Sequence, residues 1–209
     1  MDARLDHLVY AVPDLAEGTA FVADALGVRP TAGGQHVGRG TANTLVGLGD
    51  GAYLEIIGPD LTQPPPALPR PFAIDDLIAP VLVTWAARVS DLPAVIVAAR
   101  AAGYDPGPAQ AMQRATPEGG LLAWSLTAPP GAFDGLVPFL IDWGDSPHPS
   151  GSLAHDVRLA GFVLRTPEPG PVRRALAALG LGAVGVEEAP VTSIGVTLAG
   201  PGGTLRFGR

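Results

Sequence analysis

One pattern occurs three times along this chain of 209 residues. Each copy opens with an apolar segment that is typical of a β-strand, at residues 5–12, 81–88 and 157–164. An Ala- and Leu-rich helical segment follows, and three shorter strand-like segments come after it. The repeat therefore predicts an α+β fold, in which each copy contributes a strand, a helix and three further strands.

Residues that favour helix ends support the same division. Asp14, with Glu17 three residues later, forms a capping-box pattern at the first helix. Asp91 takes the capping position in the second copy, and Pro93 lies in the first turn, where a missing N–H is tolerated. Each predicted helix then ends at a glycine, at Gly27, Gly103 and Gly180. The three copies are thus predicted to share one order of elements.

Two segments poor in periodic patterning separate the copies. We expect a first βαβββ module at residues 1–60, a second at 80–145 and a third, βαβββ-like module at 156–209. The linker at 61–79 contains Pro64-Pro65-Pro66, which favours an extended and semi-rigid chain. The second linker, 146–155, is rich in Ser, Pro and Gly.

Composition excludes several classes of protein. The formal net charge of -7 argues against nucleic-acid binding, because that would require a basic patch on the surface. Charged or turn residues interrupt every apolar run well before the roughly 20 residues of a membrane helix. The first residues contain no basic segment followed by an apolar block, so we expect no secretory signal and a cytoplasmic location. Because the chain has no cysteine, disulfides and thiolate metal sites are excluded.

The first copy differs from the others in two residues. Only this copy has a histidine in its opening strand, His7, and a glutamate in its closing strand, Glu55. An ionised carboxylate between Leu54 and Ile56 is costly to bury unless it is paired or bound to a metal. Imidazole with carboxylate suits Fe, Mn, Zn, Ni or Co. The alternatives are a hydrogen bond between His7 and Glu55, or a Glu55 that faces solvent at a sheet edge.

The second copy offers weaker ligands at the matching positions. Counting back from the helix cap places Thr84 where the first copy has His7. Aligning the closing strands on glycine pairs Glu55 with Ile141, whereas a shift of one residue would bring in Asp142 and reverse the face. His36 is another possible third ligand, and it would complete a set of two histidines and one carboxylate.

Further residues are candidates for lining a ligand pocket. Arg39 lies in a Gly-Arg-Gly turn, where it would bind a carboxylate or remain solvated. Trp85 and Trp124 would provide an apolar wall or pack in the core. His148 and His155 are predicted to be solvated linker residues. The pocket candidates are His36, Arg39, Asn43, Tyr53, Thr84, Trp85, Trp124 and Asp142.

Three stretches of the first copy, residues 5–9, 33–43 and 48–59, resemble glyoxalase-like domain proteins of the vicinal oxygen chelate superfamily. The resemblance covers about the first 145 residues, and the remainder agrees only in module pattern. It implies that two modules pair into a curved mixed sheet that encloses a cavity. It also implies a divalent metal held by side chains from the first and last strand of each module, and His7 and Glu55 fall on those positions.

The resemblance implies two classes of function. One is a metal-dependent lyase, isomerase or dioxygenase acting on a small molecule with vicinal oxygens, with Glu55 as a catalytic proton shuttle. The other is a metal-free protein that sequesters a small molecule, as bleomycin resistance proteins do. No nucleotide cofactor is expected, because the chain lacks a phosphate-loop motif. An odd third module would pack either on a neighbouring module or on another subunit, and from the second possibility we also expect a homodimer.

Overall fold

A computed structural model describes residues 2–115, 119–128 and 132–208. Within these ranges the helices are α1 Leu15–Leu26, α2 Leu92–Ala101 and α3 Pro169–Ala178. The strands are β1 Arg4–Ala11, β2 Thr31–His36, β3 Thr41–Gly49, β4 Ala52–Pro59, β5 Val81–Arg88, β6 Ala109–Ala115, β7 Leu121–Thr127, β8 Phe139–Asp142, β9 Arg158–Thr166, β10 Val186–Glu188, β11 Ser193–Gly200 and β12 Gly203–Phe207. Short 3₁₀ segments occupy Pro71–Asp76, Ala132–Gly135 and Pro149–Ser152.

The helix ends follow the capping residues. The Asp14 carboxylate accepts hydrogen bonds from the backbone N–H of Ala16 and Glu17, at 2.8 and 3.0 Å. Asp91 accepts one from Ala94 at 3.0 Å. Gly27 then ends α1 in the left-handed region, which glycine adopts without strain. Among the described residues, none of the helices has the length and apolar character needed to cross a membrane.

The first two modules form one closed eight-stranded barrel, in the order β1-β4-β3-β2-β6-β7-β8-β5. The modules meet at two seams. At one seam β1 runs antiparallel to β5, and at the other β2 meets β6 through the pair Gln35 and Ala115. In each module the first strand also pairs in parallel with the last, β1 with β4 and β5 with β8. The predicted pairing of tandem βαβββ modules around a cavity is confirmed.

The third module keeps the predicted order of elements but not the strand order of the other two. Its separate sheet has the order β10-β9-β11-β12. After α3 a short loop returns the chain directly beside β9, so that Val186 pairs in parallel with Leu164. β11 then pairs antiparallel with β9 on its other side, where Val196 lies opposite Phe162. Both edges of β9 are therefore paired within the third sheet. In the first two modules, β1 and β5 each pair with only one strand of their own module, and their other edges pair with each other.

This third sheet packs on the outer surface of the barrel. The ring centroids of Tyr10 and Phe207 are 5.0 Å apart, and those of Trp85 and Phe162 are 5.1 Å apart. Apolar residues from β1, β5, α1, α3 and β9 belong to one continuous core. The third module thus has its partner within the chain. Of the two expected possibilities for this module, the structure shows packing on a neighbouring module, and the homodimer remains a prediction.

Part of the proline-rich linker folds back over the barrel. Ile74 is 2% exposed and packs in the barrel interior with Val9, Ala11 and Ile57. Arg70 ties the linker to the β2–β3 turn, because its Nε donates a hydrogen bond to the carbonyl oxygen of Gly40 at 2.6 Å. The linker is therefore not only a spacer, since it also covers one side of the barrel interior.

We predict that a cavity in the third sheet weakens the whole chain. Leu164→Ala removes a fully buried side chain from the shared core and should lower the free energy of unfolding by about 2–5 kcal/mol. Urea denaturation would be followed by far-UV circular dichroism and by tryptophan fluorescence, which reports on the barrel. Leu61→Ala is the control, because Leu61 is 86% exposed and its loss should change stability by less than about 0.5 kcal/mol. Fluorescence and dichroism transitions that separate would contradict a shared core.

Candidate active site

The barrel encloses a cavity of about 240 Å³. Its walls differ in character according to the module that provides them. The first module contributes mainly polar side chains, at His7, His36, Arg39, Thr41, Asn43, Tyr53 and Glu55. The second contributes mainly apolar ones, at Met112, Trp124, Leu126, Phe139, Ile141 and Trp143, together with Gln110 and Arg114. The cavity therefore suits a small molecule that is polar at one end and apolar at the other.

His7 is held on β1 with one ring nitrogen engaged and the other facing the cavity. Its Nδ1 donates a hydrogen bond to the Asp6 carboxylate at 2.6 Å. Its Nε2 lies 3.7 Å from Glu55 Oε2. The Tyr53 ring stacks on the imidazole with 4.8 Å between ring centroids. This packing fixes the plane of the imidazole and directs Nε2 towards Glu55.

Glu55 lies on β4, next to β1, and is 8% exposed. Asn43 on β3 donates a hydrogen bond from Nδ2 to Glu55 Oε1 at 2.5 Å. The 3.7 Å separation from His7 is an ion-pair distance and exceeds that of a direct hydrogen bond. Glu55 is thus neither at a solvated sheet edge nor hydrogen bonded to His7.

His36, at the end of β2, faces the same carboxylate from the other side. Its Nε2 lies 3.9 Å from Glu55 Oε1, and its Nδ1 lies 3.0 Å from the Thr41 hydroxyl. Both imidazoles therefore present Nε2 to Glu55 while another group engages Nδ1. The structure brings His7, His36 and Glu55 together on one wall of the cavity.

The pKa values of the two histidines are shifted in opposite directions. Burial lowers the pKa of His7, but the hydrogen bond and charge of Asp6, with the charge of Glu55, outweigh burial and raise it above 6.5. Burial lowers the pKa of His36, and together with smaller contributions from the charges of Arg114, His7 and Arg39 it outweighs the opposing charge of Glu55. The cavity therefore favours protonation of His7 over protonation of His36.

A family described as the glyoxalase-like domain matches residues 5–180. The chain belongs to this family. The match runs beyond the second module and includes β9 and α3, so it covers more of the chain than the three stretches of the first copy. The paired βαβββ modules agree with the fold expected from the resemblance to glyoxalase-like domain proteins.

Solved structures resemble this glyoxalase-like protein in fold. A hypothetical protein from Staphylococcus aureus is 15% identical with a TM-score of 0.63, over 100% of this chain and 86% of the other. A mutant of 4-hydroxymandelate synthase from Streptomyces coelicolor is 17% identical with a TM-score of 0.50, over 98% and 62%. A Mn(II)-bound glyoxalase from Novosphingobium aromaticivorans is 12% identical with a TM-score of 0.49, over 98% and 82%. No curated protein matches the chain.

Three of the residues proposed for the pocket do not line it. Trp85 lies on the outer face of the barrel, where its Nε1 donates a hydrogen bond to the carbonyl oxygen of Leu136 at 2.8 Å. The Thr84 hydroxyl donates to the Gly135 carbonyl at 3.2 Å. Asp142 accepts a hydrogen bond from the Leu92 N–H at the start of α2 and so acts in capping.

The register explains the exclusion of Asp142. Ile141 lines the cavity, so its neighbour Asp142 faces the opposite side of β8. The alignment of Glu55 with Ile141 therefore matches the side of the strand that faces the cavity, and the one-residue shift does not. The other pocket candidates, His36, Arg39, Asn43, Tyr53 and Trp124, line the cavity together with His7 and Glu55.

Sequence reasoning missed Asp6 and assigned His148 wrongly. Asp6 is fully buried and lies behind His7, where a strict alternation of strand faces would not place it. His148 was predicted to be a solvated linker residue, but its side chain is only 16% exposed and its Nε2 lies 2.8 Å from Asp6 Oδ2. A carboxylate adjacent to the site histidine was the signal available in the sequence. His155 is exposed, as predicted.

The opposite shifts of the two histidines can be measured in chelator-treated protein. We predict that NMR titration of the imidazole protons gives a pKa above 6.5 for His7 and below 6.5 for His36. The stabilisation contributed by protonated His7 is then complete below pH 6.5 and is lost as pH rises through its folded-state pKa. His7→Gln and His36→Gln assign the signals. A His7 that titrates below 6.5 would show that Asp6 and Glu55 do not outweigh its burial.

Proposed function

We propose that this glyoxalase-like protein is a metal-dependent enzyme acting on a small molecule with vicinal oxygens. The observation that carries the proposal is the approach of two imidazole Nε2 atoms to one buried carboxylate, at 3.7 and 3.9 Å. Costly buried charge of this kind is concentrated at functional sites. The reaction class would be that of a lyase, isomerase or dioxygenase.

The imidazole nitrogens and carboxylate oxygens at this site are of the types that bind a divalent metal. His7 and Glu55 would hold it, with His36 as the third donor nearby, and two imidazoles with one carboxylate suit Fe, Mn, Zn, Ni or Co. The engaged Nδ1 of each ring matches the outer hydrogen bonds of metal-bound histidines. The distances from the two Nε2 atoms to the Glu55 oxygens, 3.7 and 3.9 Å, exceed the roughly 3 Å that separates neighbouring donor atoms on one metal ion. In the part of the chain that the structure describes, no set of three or more acidic or histidine side chains is arranged to hold a metal.

A bound metal would act as a Lewis acid on a substrate oxygen. The protein side chains would supply the remaining chemistry. Glu55 would accept or return a proton through Oε2, since Oε1 is occupied by the Asn43 amide. Asn43 is therefore a positioning residue that sets which carboxylate oxygen is available.

The walls of the cavity limit the substrate. A cavity of about 240 Å³ suits a small molecule. Phe139 and Ile141 would contact an apolar group, and Arg39 would bind an anionic oxygen at the polar end. Trp124 is 9% exposed, and its Nε1 has no hydrogen-bond partner among the described residues, so it would donate to a substrate oxygen.

The metal hypothesis is tested by elemental analysis of the purified protein. We expect about one equivalent of a divalent metal, or uptake of Fe, Mn, Ni or Zn by chelator-treated protein. His7→Ala and Glu55→Ala should abolish it, because each removes a donor. Asn43→Ala should weaken metal affinity by about 10–100-fold, since it removes a hydrogen bond to a ligand.

The control for these variants is His155→Ala, which removes an exposed histidine outside the cavity and should leave metal binding unchanged. Circular dichroism would establish that each variant is folded. Protein that is purified without metal and takes up none of these four ions would contradict the proposal.

A second candidate is a metal-free protein that binds a small molecule. The observation that favours it is the wall from the second module, where Ile141 and Phe139 provide no ligand atoms. Such a protein would use the cavity for shape and apolar contact, with Arg39 and Trp124 fixing the orientation of the ligand.

This candidate predicts ligand binding that a chelator does not affect. A library of small aromatic acids would be screened by saturation-transfer NMR with and without EDTA. Ile141→Glu should lower the affinity of any hit about tenfold or more, because it places an unpaired carboxylate against the ligand. Leu61→Glu is the matched exposed control. Hits that vanish with EDTA would instead support the metal-dependent function.

A further inference from the structure

A β-bulge places the Asp6 carboxylate behind the cavity. In the pairing of β1 with β5, Leu5 lies opposite Ala87 and His7 opposite Ala86, so Asp6 is an extra residue without a partner. A bulge redirects a side chain that strict alternation would send to the other face. This change allows neighbouring residues 6 and 7 to make a 2.6 Å contact between Asp6 Oδ1 and His7 Nδ1.

Asp6 collects hydrogen bonds from three parts of the chain. Besides His7, its Oδ2 accepts from Trp143 Nε1 at 3.1 Å, just after β8, and from His148 Nε2 at 2.8 Å, in the linker before the third module. Arg88 Nε lies 3.8 Å from the same oxygen. Burial alone would raise the pKa of Asp6, but the hydrogen bonds from His148 and His7 hold it far below its usual range. Asp6 is therefore a carboxylate and accepts from each of these donors.

Both ring nitrogens of His148 make hydrogen bonds, one to Asp6 and the other to Ser150. His148 Nδ1 accepts a hydrogen bond from the backbone N–H of Ser150 at 3.2 Å and lies 2.7 Å from the Ser150 hydroxyl. Because the Asp6 carboxylate can only accept, the hydrogen of its contact with His148 is on His148 Nε2 and is directed to Asp6. The ring is held by edge-to-face contacts with Tyr53 and Trp143, at 5.8 and 5.5 Å between centroids.

We propose that Asp6 is a positioning residue that fixes the tautomers of two histidines, His7 in the cavity and His148 in the linker to the third module. Because Asp6 accepts at Oδ1 from His7 Nδ1, the Nε2 of a neutral His7 carries a lone pair that faces Glu55. His148 occupies the other oxygen and keeps the carboxylate oriented. The linker at 146–155 is then a structural part of the site, although it lies outside the barrel.

A catalytic role for Asp6 rests on the proposed function, whereas the tautomers of His7 and His148 can be tested without it. The tautomers are measured in chelator-treated, ¹⁵N-labelled full-length protein by long-range ¹H–¹⁵N correlation, at a pH above the titration of His7. We expect hydrogen on Nδ1 of His7 and on Nε2 of His148, both slow to exchange with solvent. A His7 that carries its hydrogen on Nε2 would overturn the proposal, whatever the metal content of the protein.

Two variants separate positioning from a purely structural role. Asp6→Asn preserves the shape but provides one acceptor oxygen and an N–H₂ donor, so one of the two rings must change tautomer. His148→Phe keeps the ring between Tyr53 and Trp143 but removes the donor, and hydrogen exchange at His7 Nδ1 should become about tenfold faster. His155→Phe is the control from the same linker and should change neither signal.

Unchanged tautomers of both histidines in folded Asp6→Asn would overturn the role of Asp6. Unchanged exchange at His7 in His148→Phe would overturn the role of the linker. If Asp6→Asn does not fold, the wild-type tautomers and the His148→Phe exchange rate still decide the question. The metal experiments above can fail without altering any of these spectra, so the two proposals are judged separately.

Discussion

The pairing of β1 with β5 is the constraint on which the rest of this structure depends. It joins the two modules through their first strands and so closes the barrel around a cavity. The outer surface of the same pair carries Tyr10 and Trp85, on which the third sheet packs. Its bulge turns Asp6 towards His7. One antiparallel seam therefore organises the cavity, the docking of the third module and the support of the site histidine.

The barrel also buries two carboxylic acid side chains, Glu55 and Asp6, in largely apolar surroundings. Glu55 and Asp6 are both nearly inaccessible, and each carboxylate is costly there unless polar groups surround it. Asn43 supplies a hydrogen bond to Glu55, and imidazoles face the remaining lone pairs. Asp6 is stabilised by donors from β1, from the end of β8 and from the linker. The polar half of the cavity thus depends on residues that are far apart in sequence.

Much of the fold could be predicted because its signals are local. The cap residues Asp14 and Asp91 and the glycine at position 27 act within one turn of their helices, so the sequence pattern was sufficient. His7 and Glu55 could be predicted as site residues because an ionisable side chain within an apolar strand can be recognised from the sequence without knowledge of how the strands pair. The third module was predicted only in its order of elements. Whether β10 returns beside β9 or elsewhere is decided by pairing between strands, which local patterns do not encode.

The remaining residues of the site were decided by tertiary structure. Trp85, Thr84 and Asp142 were credible pocket residues until the register of β5 and β8 placed them away from the cavity. Asp6 and His148 are separated by 142 positions, and only a bulge and a folded linker bring them into contact. By itself, the sequence determined the repeated α+β modules and the unusual pair His7 and Glu55, because those follow from periodicity and from the cost of burying charge. The tertiary structure alone determined which neighbours orient that pair, because a one-residue change of register or a single bulge reverses the face that a side chain occupies.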